Sequence, residues 1–224
     1  KQTPRNDILS EHIMASCFFE PSTRTRLSFE TAMNKLGGKV IGFAEAGVSS
    51  AKKGESIYDS TKIIGQYADV IAMRHPIEGA VRRAAEATDK PVINGGDGAN
   101  QHPTQTLLDL FTIKECQNKL EGLKIALVGD LKYGRTTHSL AQAMSLFDTS
   151  LHFVAPKSLQ MPKHLCQELS AKKVHYETHE KIEDIIDQVD ILYVTRIQKE
   201  RFPDIMEYER IKDAFVLDAQ MLKN

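Results

Sequence analysis

The chain has 224 residues, 41% of them hydrophobic and 26% charged, the composition of an ordinary globular protein of one large or two modest domains. Its 29 basic and 30 acidic side chains leave a net charge of −1, without the basic excess of a nucleic-acid binder. No apolar run approaches the ~20 residues that cross a bilayer and no secretory leader pattern opens the chain, so neither nucleic acid nor membrane is an expected partner. In chain order, short apolar runs predict strands at Ile13–Phe19, Val40–Phe43, Asp69–Met73, Val92–Ile93, Lys124–Val128, Leu151–Val154 and Asp190–Thr195. Between them, helical periodicity predicts helices at Thr23–Leu36, Ser60–Tyr67, Gly79–Ala87, Thr104–Gln117, His138–Phe147, Pro162–Lys172 and Lys181–Gln188. Leu107, Leu108, Leu110, Phe111 and Ile113 fit one buried helix face.

This βαβα order predicts an α/β fold with doubly wound, mostly parallel sheets. Asn118–Leu123, where a long helix runs out before a new strand, divides the chain into domains 1–118 and 119–224. The stretch Ala214–Asn224 begins like another strand and stops, as in a fragment of a longer chain.

Cys17, Cys116 and Cys166 are odd in number and far apart, which suits structural thiols in a reducing, cytoplasmic compartment. Neither a CxxC nor an HExxH pattern occurs, and the eight histidines are scattered, so no metal is expected.

Ligands of open α/β sheets bind beyond the carboxyl ends of the strands. An arginine or histidine stands just there after five strands: in Glu20–Arg26, at Arg74-His75, at His102, at Arg135 and at Arg196. That clustering points to an anionic ligand. Ser22-Thr23-Arg24-Thr25 places three hydroxyls and a guanidinium at a helix start, where free N–H groups and the helix dipole favour phosphate. A plain N-cap is the competing reading, but it accounts for one hydroxyl only. His102-Pro103-Thr104-Gln105 can present an imidazole and an amide to a small amide group, or merely cap the next helix. Gly129-x-x-x-x-Gly134-Arg135-Thr136 imitates a nucleotide phosphate loop, yet carries arginine where that loop needs lysine; a carboxylate clamp suits Arg135 better. The polar stretch Gly47–Ser56, with Lys52 and Lys53, reads as a closing lid or as a solvated loop.

Phe19–Arg26 resembles the carbamoyl-phosphate signature shared by aspartate and ornithine carbamoyltransferases, and His102–Gln105 is similar to their second shared signature. Gly129–Thr136 and Thr195–Arg201 resemble the aspartate-using members. The resemblance implies two domains with an active site in the cleft between them, and the substrates carbamoyl phosphate and L-aspartate. It implies that Ser22, Thr23, Arg24, Thr25 and Arg74 hold the phosphate, and that His102 and Gln105 address the carbamoyl group. Arg135, Arg196 and Gln198 would bind the aspartate carboxylates, and Lys53 would also contact the aspartate. Thr25, Arg74, His102 and Lys53 would be catalytic, and Ser50 and Lys53 would come from the lid of a neighbouring subunit. It further implies a homotrimer with shared sites, a place in pyrimidine biosynthesis and no cofactor. Regulatory chains as partners are left open. The family's first helix and its closing His-Pro-Leu-Pro segment have no counterpart here, and the lid is about one residue short.

Overall fold

A computed structural model describes residues 6–45, 53–98, 100–197 and 205–211, together with Leu217 and Met221. The chain forms two compact units, Lys1–Thr104 and Gln105–Asn224.

In the first unit the elements run β1 (Ile13–Phe18), α1 (Thr23–Lys35), β2 (Lys39–Phe43), α2 (Ile57–Ile64), β3 (Val70–His75), α3 (Ala80–Ala85) and β4 (Val92–Asp97). Its sheet is wholly parallel, in the order β2-β1-β3-β4. The chain steps one way from β1 to β2 and the other way thereafter. Right-handed crossovers then put α1 on one face and α2 and α3 on the other. Side-chain alternation agrees with this. Ala15, Cys17, Ile71 and Met73 pack with Ile57, Ile64, Val81 and Ala84, whereas Met14 and Ala72 pack with Phe29 and Met33 of α1.

The second unit contains nearly all of α4 (Pro103–Gln117), then β5 (Leu123–Val128), α5 (Arg135–Met144), β6 (Thr149–Val154), α6 (Lys163–Ala171), β7 (His175–His179), β8 (Ile191–Val194) and α7 (Ile205–Ile211). Its sheet is again parallel, ordered β7-β6-β5-β8. Ile125, Leu127, Leu151 and Phe153 meet Leu140 and Met144 of α5 and Leu165 and Leu169 of α6. The opposite face, with Ala126, Val128 and Val154, is covered by Ile182 and Ile185.

Four expectations change. The helix expected over Lys181–Gln188 is two 3₁₀ turns, Ile182–Asp184 and Ile186–Gln188, broken at Ile185 (φ −135°). Ile182 and Ile185 are both buried, and a spacing of three is the eclipsed repeat of a 3₁₀ turn. Strand β7 was not expected, because the sequence His-Tyr-Glu-Thr-His has no apolar run; as an edge strand it needs none. Helices α2 and α5 each start three residues early, α2 because Ser56 caps it by accepting from the Asp59 N–H. On α4, Ile113 is buried, but Leu107, Leu108 and Phe111 are exposed, so the apolar set does not form a single buried face. The strand-like stretch Ala214–Asn224 lies outside the described residues, apart from Leu217 and Met221.

The three cysteines are free thiols. Cys17 is buried in the first core, and burial pushes its thiol up to about 12, so it is inert at neutral pH. Cys166 is partly buried, whereas Cys116 is exposed and does not pack as a small core hydrophobe.

Candidate active site

The strand orders locate the binding region of each unit. A crevice opens where the chain reverses its direction of winding, between β1 and β3 in the first sheet and between β5 and β8 in the second. Four of the five segments singled out by sequence follow these strands, and the fifth, with His102, follows β4 beside β3.

In the first unit, Phe18 is in register with Arg74, and the Phe19 N–H donates to the Arg74 carbonyl at 2.9 Å. The loop after β1 and the Arg74 side chain are therefore neighbours. Ser22 occupies the N-cap of α1, but its side chain makes no capping hydrogen bond. The N-cap reading thus fails at its central point, and the hydroxyl keeps its acceptor and donor capacity. Thr23, Arg24 and Thr25 form the first helical turn, with Arg24 exposed and Thr25 half-buried. Gly95, at the end of β4, sits beside this turn: a Cβ there would lie 3.2 Å from the Met73 carbonyl and 3.7 Å from the Thr25 methyl.

Arg74 is held from two sides. Its Nη2 donates to Glu20 Oε1 at 2.6 Å and its Nη1 to the Gly95 carbonyl at 3.4 Å. The guanidinium is only 12% exposed, and its Nε is buried without a hydrogen-bond partner among the described residues. A buried N–H left unsatisfied costs about 1–3 kcal/mol, so an arriving anion oxygen would relieve a standing penalty.

Beyond β4 the chain turns around Asp97, which is 2% exposed. Its carboxylate accepts from the Gly79 and Gln101 N–H groups and from the side chains of Asn94 and Asn100, at 3.0–3.2 Å. Burial pushes this carboxyl up, but the four hydrogen bonds outweigh it and hold it below the usual aspartate range. This turn delivers His102, which is 8% exposed, with Nδ1 3.5 Å from the Thr104 hydroxyl.

In the second unit, Gln105 Nε2 donates to Asp109 Oδ1 at 3.0 Å. A carboxylate accepts only, so the amide is turned with its NH₂ toward Asp109, which leaves Oε1 to accept from a substrate NH₂. Asp109 Oδ2 accepts from the Tyr193 hydroxyl at 3.2 Å, and Tyr193 is also hydrogen-bonded to Thr136. Burial raises both the Asp109 carboxyl and the Tyr193 phenol above their ordinary values. A chain of hydrogen bonds thus joins Gln105 to the residue that follows Arg135. Loss of Asp109 by substitution with alanine is expected to cost about tenfold in kcat/KM, the scale of one lost hydrogen bond to a charged group. The loss should fall mainly on KM for the carbamoyl donor that the resemblance assigns to Gln105, because Asp109 orients the Gln105 amide; steady-state kinetics at saturating acceptor measure it.

The second crevice is tight. Gly129 has φ +115°, and a Cβ there would overlap the Thr195 carbonyl, so only glycine fits where the two chain segments meet. The Thr195 N–H donates to the Val128 carbonyl at 2.8 Å. Arg135 is the first residue of α5 and half-buried, and Arg196 lies exposed two residues beyond β8. Buried Asp130 accepts from the Tyr133 N–H at 2.9 Å, closing the turn that follows β5.

The structure thus brings Ser22, Thr23, Arg24, Thr25 and Arg74 to one crevice, with His102 on the turn following the neighbouring strand. Arg135 and Arg196 flank the other. Lys53 is exposed, ahead of α2. Ser50 and Gln198 lie outside the described residues. The sequence reading gave no role to Glu20, Gly95, Asp97, Asp109 or Tyr193. Of these, Asp109 carried a usable signal, since it stands four residues after Gln105 on the same helix face.

Comparison with known proteins gives the family. Residues 1–115 match the family model described as the aspartate/ornithine carbamoyltransferase carbamoyl-P binding domain, and residues 121–224 match the Asp/Orn binding domain of the same family. The aspartate carbamoyltransferase catalytic subunit of Chromobacterium violaceum is 58% identical over 224 residues, all of this chain and 74% of that protein. The catalytic subunit of M. jannaschii aspartate transcarbamoylase superposes with a TM-score of 0.89 at 52% identity, over 97% of this chain and 72% of that one. The Trypanosoma cruzi aspartate transcarbamoylase in complex with carbamoyl phosphate and aspartate gives a TM-score of 0.89 at 37% identity, over 97% and 71% of the two chains. With both halves matched and the aspartate enzymes this similar, the chain belongs to the aspartate/ornithine carbamoyltransferase family, in its aspartate carbamoyltransferase branch.

Proposed function

We propose that the two crevices divide one reaction, with residues 1–118 serving carbamoyl phosphate and residues 119–224 serving L-aspartate. The reaction of this branch is transfer of the carbamoyl group from carbamoyl phosphate to the amine of L-aspartate. It yields N-carbamoyl-L-aspartate and phosphate, a step of de novo pyrimidine biosynthesis. The observation that carries the division is the placement of a phosphate-type set at one topological switch point and an arginine pair at the other.

In this reading the first turn of α1 and Arg74 take the phosphoryl oxygens. Gln105 accepts from the carbamoyl NH₂ through Oε1. The aspartate amine attacks the carbamoyl carbon, forming a C–N bond and pushing charge onto the carbonyl oxygen. Thr25, Arg74 and His102 donate to that oxygen. The C–O bond to phosphate then breaks, and the departing phosphate carries off the amine's proton. Arg135, Arg196 and Gln198 hold the two carboxylates of aspartate. No covalent intermediate is required, so the rate gain comes from positioning two anions and from preorganised donors.

Arg24→Ala is expected to abolish measurable carbamoyl-phosphate binding in calorimetry while the circular-dichroism spectrum stays unchanged; undiminished affinity would refute the phosphate role. An acceptor panel tests the second substrate, and faster turnover of ornithine than of aspartate would reverse the assignment.

The reading extends to a cytoplasmic homotrimer in which Ser50 and Lys53 of one subunit complete the site of the next. Two inactive variants, Lys53→Ala and Arg74→Ala, should then regain activity when mixed and reassembled, and a solution mass of one chain would contradict the trimer.

A further inference from the structure

Outside the segments described above, strands β6 and β7 bring three side chains together. Registry pairs His152 with Glu177 and Val154 with His179, so His152, Glu177 and His179 project from the same face of the sheet. The histidines that look scattered in sequence meet here.

The three ligand-type atoms nearly form an equilateral triangle. His152 Nδ1 lies 3.3 Å from His179 Nε2 and 3.9 Å from Glu177 Oε2, and His179 Nε2 lies 3.6 Å from the same oxygen. A point equidistant from three atoms so spaced lies about 2.1 Å from each, the length of a Zn–N or Zn–O bond. The two rings are stacked at 28° with centroids 5.4 Å apart, and the facing nitrogens are closer than the centroids.

A histidine–histidine hydrogen bond would explain the 3.3 Å separation alone. The Glu177 oxygen stands beyond hydrogen-bond range of both rings, at ion-pair distance from each and at a spacing that also suits a shared metal ion. The other Glu177 oxygen faces His175 Nε2 at 3.3 Å, an outer contact of the kind that fixes a ligating carboxylate. His152 is 6% exposed and its Nε2 meets no hydrogen-bond partner among the described residues, so Nδ1 is the nitrogen that engages the cluster.

We propose that His152 Nδ1, Glu177 Oε2 and His179 Nε2 form a binding site for one divalent transition-metal ion of the zinc class, separate from the substrate residues. Two imidazoles and one carboxylate suit zinc or cobalt rather than magnesium or calcium, which prefer all-oxygen shells. Glu177 is half exposed, so a water completes the fourth position. The ion would tie edge strand β7 to β6 at their C-terminal ends, and its role is to fasten an otherwise polar sheet edge.

The test uses the metal-free full chain, titrated with Co(II) and Zn(II). One equivalent of Co(II) should bind with the visible absorption of a four-coordinate site, and Zn(II) should displace it. Zinc at a hundredfold excess over its Kd should raise Tm by about 5 °C. Magnesium should do neither. His179→Gln and Glu177→Gln, at less buried positions than His152, should each weaken uptake at least tenfold, while exposed His164→Ala leaves it unchanged. Absence of saturable uptake, or undiminished affinity in either ligand variant, overturns the site.

Discussion

Arg74→Ala is expected to lower kcat/KM for carbamoyl transfer by about 10²–10³-fold, the cost of removing one preorganised donor to the transition-state oxygen. The structure gives this arginine unusual leverage. It is nearly buried, pinned by Glu20 and by the Gly95 carbonyl, and its Nε has no partner among the described residues. Removal also leaves Glu20 as an uncompensated negative charge beside an anion site, so KM for carbamoyl phosphate should rise along with the fall in kcat. Arg74→Lys should recover only a small part, because an ammonium offers no planar fork and cannot bond Glu20 and a phosphate oxygen in one plane. Glu20→Gln introduced into the alanine variant should recover some donor affinity, which separates the charge effect from the lost hydrogen bonds. Steady-state kinetics of the four proteins decide it: a lysine variant as fast as the original would refute the need for the fork, and an alanine variant as fast would remove Arg74 from the mechanism.

The second large effect is on stability. Asp97→Ala should lower the unfolding free energy by about 3 kcal/mol, since it strands four donors at a site with little access to water. The pH dependence follows from the direction of its shift. In the folded chain the carboxyl is held below its ordinary value, so the unfolded chain binds the proton more readily. The stabilisation is fully present above an unfolded value of about 3.9 and is lost as pH falls through the lower, folded value. Urea midpoints should therefore differ most between the original chain and Asp97→Ala at neutral pH, and converge in strong acid. Equal gaps at neutral pH and in strong acid would show that Asp97 acts by packing alone. Because the same turn carries Gln101 and leads into His102, the variant should also bind the carbamoyl donor less well.

Much of the site is legible in the residues because its determinants are local. A hydroxyl-rich first helical turn, a histidine before Pro103 and an arginine at the start of α5 sit within a few residues of their own strand ends. Helix termini and strand ends are set by neighbouring residues, so those features survive in one dimension. The apolar runs likewise mark seven of the eight described strands, most clearly β1, β3, β5 and β6, whose burial on both faces demands continuous apolar sequence.

What one dimension cannot hold is adjacency. That β1 lies between β2 and β3, and that β8 closes on β5, depends on pairing across long stretches of chain. That pairing creates the switch points. The polar edge strand β7 escaped notice because an edge needs little hydrophobicity, and with it went the meeting of His152, Glu177 and His179. The orientation of the Gln105 amide was equally hidden, since it depends on Asp109 being held in turn by Tyr193, 84 residues away. The sequence alone determined which chemical groups this protein owns and which strand ends present them. Tertiary structure decided which of them face one another, because hydrogen bonds and ion pairs across a sheet fall off within a few ångströms and take no account of distance along the chain.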